Sequence, residues 1–251
     1  MEWYKRWFGE EYLLVYEHRD IEEAEREVAF IERTLELEKN DLILDLCCGP
    51  GRHDYPLARR GFRVVGLDYS FPMLCIARNA LDPGAGYPLY IRADARAIPL
   101  RDGIFDAVLN LFTSFGYFED RENHEFLESI ARLLKDGGKY YIDYLNPPQL
   151  LAGLAAETIR EKNGLTVVEK RRLDPNRKRV EKTIIIQSGN FEQEYQESVR
   201  LYQLDEMLDM LKAAGLAVQE VFGSTRGEVY GENSERMIIH GRKSHSNSLE
   251  L

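Results

Sequence analysis

The segment LDLCCGPGRHDYPLARRGFRVVGLDYS, from Leu44 to Ser70, constrains the fold more than any other part of the chain. A short apolar strand runs into a Gly-Pro-Gly turn, a helical pattern follows, and a second apolar strand ends at Asp68. Glycine permits the tight bend by which a strand turns into a helix. The pattern therefore predicts a β-α-β unit with parallel strands, in which Gly49 and Gly51 lie at the carboxyl end of the first strand.

The alternation of strands and helices continues on both sides of this unit. Apolar residues between Asp20 and Lys39 recur at three- and four-residue spacing, which predicts an amphipathic helix, and EEYLLVYEH before it predicts a short one. Ser70 caps a helix in SFPMLCIARNAL, and DRENHEFLESIARLLKDGG predicts a helix that stops at its glycines. LYIRAD, FDAVLNLF and KYYIDYL are strands three to five, so the order indicates a parallel sheet with helices on both faces.

The pattern changes after Pro148. LTVVEKRRL and RKRVEKTIIIQ flank the turn Asp174-Pro175-Asn176, which is typical of an antiparallel hairpin. NFEQEYQESVRLYQ alternates as a third strand. The helix LDEMLDMLKAAGL and the strands AVQEVFG and ERMIIHGRK follow, which predicts an antiparallel insertion before the last units of the sheet.

Composition limits the partners. The 251 residues carry a formal net charge of −10, which argues against a broad basic face for a nucleic-acid backbone. The chain has only 3 cysteines, which argues against a disulfide framework, and no apolar run approaches the roughly 20 residues that cross a bilayer. We expect a cytoplasmic monomer or homodimer with no membrane or nucleic-acid partner.

Adjacent Cys47 and Cys48 raise the question of a metal site. Neighbouring side chains on a strand point to opposite faces, so these thiols would not bind one ion together. No CxxC motif or histidine pair at ligand spacing occurs elsewhere in the sequence. We therefore expect no metal, which leaves the glycine turn as a simple bend or a nucleotide-binding loop.

Acidic residues at the strand ends favour the nucleotide-binding alternative. Asp68 lies seventeen residues after Gly51, where its carboxylate can accept hydrogen bonds from two ribose hydroxyls. Asp54 stands where a dinucleotide-binding loop has its third glycine, which argues against a bound pyrophosphate. Asp94 ends the third strand and can accept a hydrogen bond from the exocyclic amine of adenine, with the backbone of Ala95 at the ring edge. The pattern predicts a nucleoside across the strand ends.

As a set, LDLCCGPGRH, VVGLDYSFPMLCIAR, IRADARAIPL, FDAVLNLFTSFGYF and LLKDGGKYYIDYL resemble the successive motifs of class I S-adenosylmethionine-dependent methyltransferases. The resemblance implies S-adenosylmethionine as cofactor and an α/β fold with a Rossmann-like, seven-stranded, mostly parallel sheet of order 3-2-1-4-5-7-6. It implies that Asp45, Gly49 and Gly51 border the methionine portion of the cofactor. Tyr69 and Met73 match positions that commonly sandwich the adenine.

On this resemblance the chain divides into five segments. Four carry structure or function and the fifth is a loose tail. They are an N-terminal helical arm (1–40), a cofactor-binding core (41–148), an antiparallel insertion resembling the substrate lid of small-molecule methyltransferases (149–202), a C-terminal helix and hairpin completing the core sheet (203–243), and the tail (244–251).

Two aromatic groups are candidates for the acceptor side of the site. The loop after the fourth strand carries Phe112, Phe115 and Tyr117, which can wall a substrate pocket and exclude water. The N-terminal arm carries Tyr12 and Tyr16 on one helix face. Similar methyltransferases have an arm of this kind, which implies that Tyr16 lies near the sulfonium and Tyr12 near the substrate.

Several interpretations remain open. The resemblance favours methyl transfer to an oxygen or nitrogen atom of a small molecule, although no catalytic base can be named. The alternatives are an NAD(P)-dependent oxidoreductase, a non-enzymatic module with this fold, and an RNA methyltransferase that uses the basic hairpin from Lys170 to Arg179. A solvated hairpin tip is the simpler interpretation of that segment. We interpret the Asn-Pro-Pro-Gln at Asn146 as an exit from the sheet, and His124 as a solvent-facing helix residue.

Overall fold

The computed structural model describes residues 2–15, 21–80, 87–162, 164–176, 178–189 and 191–244. Several predicted features lie outside these ranges: Tyr16 together with the end of the predicted first helix, Arg177, and nearly all of the predicted tail. Within the described residues, no helix is both long enough and apolar enough to cross a membrane.

Seven strands form the central sheet in the order β10-β11-β5-β4-β1-β2-β3. Neighbouring strands are parallel, except that β11 is antiparallel to both β5 and β10. When the insertion strands are left out of the count, this is the predicted order 3-2-1-4-5-7-6, so the predicted fold is confirmed. The strands are β1 (Leu42–Leu46), β2 (Arg63–Asp68), β3 (Leu89–Arg92), β4 (Phe105–Asn110), β5 (Leu134–Leu145), β10 (Leu216–Phe222) and β11 (Arg236–Lys243).

Six of the eight helices in the described residues form where the sequence predicts them, whereas the helices Tyr4–Trp7 and Pro147–Ala152 were not predicted. Ser70 caps α5, and its hydroxyl accepts a hydrogen bond from the backbone N–H of Met73. The helix predicted to stop at Gly137 and Gly138 ends at Leu133 instead, because the chain enters β5 at once and Lys135 bonds Asp106. The helices are α1 (Tyr4–Trp7), α2 (Glu10–Val15), α3 (Ile21–Thr34), α4 (Asp54–Arg59), α5 (Phe71–Asn79), α6 (Asp120–Leu133), α7 (Pro147–Ala152) and α8 (Leu204–Ala213).

A second, antiparallel sheet of order β6-β7-β8-β9 follows α7. Its strands are β6 (Glu157–Lys162), β7 (Leu165–Leu173), β8 (Arg179–Ser188) and β9 (Phe191–Arg200). The sequence predicts three of these strands but not β6. The sequence of β6, ETIREK, has one large apolar residue, Ile159, which is exposed, so no apolar alternation marks the strand.

The core has layers on both faces of the central sheet. Along β4, Val108 packs in the cluster on one face, whereas Ala107 and Leu109 pack in the cluster on the other. A third cluster joins the N-terminal arm to the second sheet, where Trp7 packs with Ile184. The arm and the second sheet therefore meet over the carboxyl ends of the central strands.

Candidate cofactor and acceptor sites

The first cavity, which we call the cofactor cavity, opens at the carboxyl ends of β1, β2, β3 and β4 and has a volume of about 170 Å³. Two residues of the N-terminal arm cover this cavity: Tyr12 of α2, and Phe8, which lies just before that helix. The structure brings most of the predicted site residues together here. Those that line the cavity are Asp45, Gly49, Asp68, Tyr69, Met73, Asp94, Ala95, Tyr12, Phe112 and Tyr117.

The turn after β1 is held by the carboxylate of Asp68. Its Oδ2 accepts a hydrogen bond from Gly49 N at 2.9 Å, and its Oδ1 accepts one from Ser70 N at 2.7 Å. Cys47 has a φ of 67°, in the left-handed region, so it lies in the turn rather than on a strand. The prediction that the two cysteines face opposite sides was therefore wrong: Cys47 and Cys48 both line the cavity. Burial, with nearby carboxylates, raises the pKa of both thiols, which keeps them protonated.

Gly51 shapes the cavity without lining it. Its φ is 72°, and a side chain there would collide with the hydroxyl of Tyr90 and approach Ala77 Cβ to 3.0 Å. That Gly51 borders the methionine portion of the cofactor stays a prediction. It is glycine because the backbone conformation and its close packing exclude a side chain.

Asp94 lies at the far end of the cofactor cavity and is paired with Arg96. The guanidinium donates to both carboxylate oxygens, at 3.1 Å from Nε to Oδ1 and at 2.7 Å from Nη2 to Oδ2. Hydrogen bonding from Arg96 lowers the pKa of Asp94, so the carboxylate is an acceptor at neutral pH. Arg96 also bonds Glu2 of the arm and Glu122 of α6, which links this end of the cavity to the arm.

Two cavity residues that the sequence analysis missed, Arg52 and His53, join the glycine turn to α3. Arg52 donates to Glu23 at 2.9 Å and to Glu27 at 2.8 Å, and His53 Nε2 lies 2.6 Å from the same oxygen of Glu27. The i, i+4 spacing of the two glutamates is the only sequence signal of this contact. Helix α3 therefore fixes one wall of the cofactor cavity.

A second cavity of about 660 Å³, the acceptor cavity, lies between the central sheet and the second sheet. It shares Phe8, Tyr12, Phe112 and Tyr117 with the cofactor cavity. The second cavity therefore adjoins the first at these four aromatic side chains. The rest of its lining is Trp3, Thr113, Leu145, Gln149, Leu150, Gly153, Leu154, Ala155, Thr158, Arg171, Val180, Lys182, Glu197, Val199 and Arg236.

The inner face of the second sheet gives the acceptor cavity a charged wall. Arg171, Lys182 and Glu197 are neighbours in register across β7, β8 and β9. Lys182 bonds Glu197 at 2.6 Å, and Glu169, which is buried, bonds Arg171 at 2.7 Å. Burial opposes ionisation of Glu169, but Lys182, Arg171 and Arg160 together lower its pKa. The wall therefore carries ionised groups of both signs.

Phe115 does not line either cavity, so its assignment to the acceptor pocket is corrected. It is buried in the core, in contact with the rings of Phe126, Tyr144 and Tyr202. Gly116, which follows it, has a φ of 89° and turns the chain so that Tyr117 faces the cavity instead. The turn of the loop, not its composition, decides which aromatic side chains face the pocket.

The basic hairpin is not simply a solvated tip. Arg171 lines the acceptor cavity, and Arg179 donates hydrogen bonds to the carbonyls of Gly116, Tyr117 and Phe118, which fixes the loop after β4. Because of these contacts, two guanidinium groups of the hairpin do not contribute to a basic surface that could bind RNA phosphates.

Two further sequence features have structural roles. Asn146 is buried, and its amide donates to the carbonyls of Gly231, Glu232 and Ser234, so the Asn-Pro-Pro segment ties α7 to the loop before β11. His124 lies on α6 next to Glu128, outside both cavity linings. The interpretation of Asn-Pro-Pro-Gln as an exit from the sheet agrees with this geometry.

The sheet order and the cavity at the strand ends define an open α/β fold of the kind that binds its ligand at the carboxyl ends of its strands. A methyltransferase-domain family model matches residues 43–138. The cypemycin N-terminal methyltransferase of Streptomyces sp is 30% identical over 204 residues, which cover 78% of this chain and 81% of that protein. The chain therefore belongs to the methyltransferase family, and its cofactor is S-adenosylmethionine.

Two solved structures share this fold. The CcbJ methyltransferase of Streptomyces caelestis has a TM-score of 0.82 and 21% identity, covering 96% of this chain and 99% of that chain. The sugar N-methyltransferase KedS8 from Streptoalloteichus sp ATCC 53650 has a TM-score of 0.68 and 26% identity, covering 94% of each chain. Membership of this family decides against the nicotinamide-dependent oxidoreductase that the glycine turn left open.

Proposed function

We propose that this chain transfers the methyl group of S-adenosylmethionine to a nitrogen or oxygen atom of a small molecule bound in the acceptor cavity. One observation carries the proposal: the two cavities meet at a wall formed by Phe8, Tyr12, Phe112 and Tyr117. When bound, the cofactor supplies an electrophilic methyl group on a sulfonium. A wall of rings at the junction of the cavities excludes water and favours a nearby cation.

The size of the acceptor cavity and the relatives support a small acceptor. A volume of about 660 Å³ lies within the usual range of small-molecule sites. The similar proteins named above include a sugar N-methyltransferase and an N-terminal methyltransferase of cypemycin. The presence of this second cavity also argues against a non-enzymatic module, which would need no space beyond the cofactor.

The residues of the cofactor cavity fit an adenosyl ligand. Each carboxylate oxygen of Asp68 accepts one backbone hydrogen bond, which leaves a lone pair on each for the ribose hydroxyls. Asp94 would accept from the adenine amine, with Ala95 at the ring edge, and Tyr69 and Met73 would sandwich the ring. We assign the methionine portion to Asp45 and the Gly49 turn, where Asp45 Oδ1 makes no hydrogen bond within the described residues.

The arm and the second sheet, which fall in the predicted segments 1–40 and 149–202, would form the lid over both ligands. Trp7 is fully buried in the arm and donates from Nε1 to Glu197 of β9 at 2.5 Å. Ser70 Oγ donates to the carbonyl of Phe8 at 2.5 Å, which joins the same arm to the core. The protein would thus hold the nucleophile against the methyl carbon and exclude water, which is the main requirement of an in-line displacement.

The test is a labelled-methyl assay with a variant that fills only the acceptor cavity. Purified protein is incubated with S-adenosylmethionine carrying a trideuterated methyl group and a panel of small amines and alcohols, and products are detected by mass. Leu150 lines the acceptor cavity alone, so Leu150→Trp should abolish methylation and leave the affinity for S-adenosylhomocysteine unchanged. Leu151→Trp, at the exposed neighbouring position, is the matched control and should retain activity.

Retained activity in Leu150→Trp would place the acceptor elsewhere. If the wild-type protein instead methylates RNA, and no amine or alcohol of the panel, the assignment to small molecules is wrong.

A further inference from the structure

A buried pair of carboxyl groups lies beneath the cofactor cavity. Asp45 on β1 is 1% exposed and lines the cavity, whereas Asp54, the first residue of α4, is 0% exposed and does not. The side chains of Asp45, Tyr90 and Cys48 approach the carboxyl group of Asp54, but none of them makes a hydrogen bond of ordinary geometry with it within the described residues. A buried carboxyl group without such a partner is costly, which calls for a reason other than packing.

The sheet itself creates the space for this pair. Asp45, Gly66 and Tyr90 are in register across β1, β2 and β3, so their side chains belong to one face of the sheet. Gly66 has no side chain, and the gap is filled by Asp54: a Cβ at Gly66 would lie 2.7 Å from Asp54 Oδ2 and from two ring carbons of Tyr90. The chain therefore places Asp54 beside Asp45 through a glycine that admits it.

We propose that Asp54 is a positioning residue that shares one proton with Asp45, so that the pair carries one negative charge without ligand and releases the shared proton to solvent when the ammonium group of the cofactor binds beside Asp45. This inference rests on the proposed function, which assigns the methionine portion to Asp45. Asp54 acts through Asp45 and does not touch the ligand itself.

The electrostatics support a shared proton. Burial raises the pKa of Asp45, and burial together with the charge of Asp45 raises the pKa of Asp54 well above its usual range. Because each carboxyl group shifts the pKa of the other, the two titrate as a unit. The other titratable groups that face the pair are Cys48 of the turn, Tyr90 of β3, Asp68 of β2, and Arg52 and His53 before α4, the last two already paired with Glu27 of α3.

These positions determine whether ligand binding releases protons or takes them up. An ammonium next to Asp45 favours the ionised form of the pair and lowers its apparent pKa. Binding therefore releases protons at any pH between the apparent pKa values of the bound and the free pair. A ligand without the ammonium should release none from this pair.

Two ligands test the proposal in the wild-type protein. S-adenosylhomocysteine carries the amino-acid portion, and 5′-methylthioadenosine has the same adenosine and thioether without it. Isothermal titration calorimetry between pH 6 and 8, in buffers of different ionisation enthalpy, gives the protons released by each. We expect more protons to be released with S-adenosylhomocysteine than with 5′-methylthioadenosine. Equal release for the two ligands would overturn the inference without any variant.

Variants then assign the effect to Asp54. In Asp54→Asn, S-adenosylhomocysteine should no longer release more protons than 5′-methylthioadenosine at the higher pH values of this range. The affinity for 5′-methylthioadenosine should be unchanged. Asp45→Asn should lose both the excess release and affinity for S-adenosylhomocysteine. Asp209→Asn, the same change on the exposed side of α8, should behave as wild type.

The failures of the two proposals differ. If the wild-type protein and Asp54→Asn bind S-adenosylhomocysteine with the same proton release at every pH, the shared proton is wrong and the proposed function stands. If the wild-type protein binds neither ligand, both the cofactor assignment and this inference are wrong.

Discussion

Asp143 on β5 and Arg236 on β11 form an ion pair, 2.7 Å from Nε to Oδ1, beside the loop that follows β4. The same carboxylate accepts a hydrogen bond from Phe112 N, and Arg236 also donates to Thr113 Oγ1. Phe112 and Thr113 have φ values of 56° and 58°, which non-glycine residues rarely adopt. The pair therefore holds a strained turn whose Phe112 lines both cavities.

Arg236→Ala should destabilise the fold and impair acceptor use more than cofactor binding. Its removal leaves the half-buried Asp143 unpaired, at a cost of about 1–3 kcal/mol in the free energy of unfolding. The released turn should raise KM for the acceptor with little change in the Kd of S-adenosylhomocysteine. Arg172→Ala is the matched control, because Arg172 pairs with Glu181 at an exposed position and should cost less than about 1 kcal/mol. Equal losses in the two variants, measured by urea unfolding, would contradict this role.

Asp68→Ala should weaken cofactor binding by about 1–3 kcal/mol, the scale for removing hydrogen bonds to a charged group. The reason is twofold, because the carboxylate would hold the ribose and also holds the N–H groups of Gly49 and Ser70. The measurement is the Kd of S-adenosylhomocysteine by calorimetry. Asp102→Ala, at an exposed aspartate paired with Arg132, serves as control. Affinity that stays near the wild-type value would mean that the ribose lies elsewhere.

Gly66→Ala should be destabilising out of proportion to the added methyl group. The new Cβ would lie 2.7 Å from Asp54 Oδ2 and from the Tyr90 ring, so either the carboxyl pair or the tyrosine must move. Overpacking of this kind costs about 1–3 kcal/mol. Gly231→Ala is the control, since nothing lies within 4 Å of its Cβ position. The check is the midpoint of thermal unfolding, and a variant as stable as Gly231→Ala would show that this part of the core is loosely packed.

The two tryptophans of the arm should differ when each is replaced by phenylalanine. Trp7 donates to Glu197 of the second sheet, whereas the ring nitrogen of Trp3 is buried without a hydrogen bond within the described residues. Trp7→Phe therefore leaves Glu197 with one donor fewer, and we expect faster proteolysis of the arm and a higher KM for the acceptor. Trp3→Phe removes no such bond and should change both quantities less. Identical proteolysis rates in the two variants would mean that the hydrogen bond from Trp7 to Glu197 does not hold the arm on the second sheet.

Much of the fold and half of the site chemistry follow from local patterns. Asp68 and Asp94 were predictable because a carboxylate at the end of a parallel strand must lie at the ligand-binding edge of the sheet. Arg52 and His53 were not, since their partner Glu27 is 25 and 26 residues away and only the docking of α3 brings it near. Phe115 was misassigned because the turn at Gly116, not the run of aromatics, decides which side chains face inward.

The carboxyl pair should also leave its mark on stability. Groups whose pKa is raised in the folded state favour folding below their unfolded pKa, near 4 for aspartate, and lose that contribution as the pH rises through the folded value. Asp54→Asn removes one such group, because burial and Asp45 raise the pKa of Asp54. The variant should therefore gain stability over the wild-type protein as the pH rises above about 4, by up to about 1.4 kcal/mol for each pH unit over which only the folded state keeps the proton.

Urea unfolding from pH 4 to pH 8 measures this gain, with Asp209→Asn as the control that should run parallel to wild type. Coincident curves at pH 4 that separate at higher pH are the expected result. A constant offset between Asp54→Asn and wild type across the whole range would mean that Asp54 is ionised in the folded protein. It would then be held by contacts other than a proton shared with Asp45.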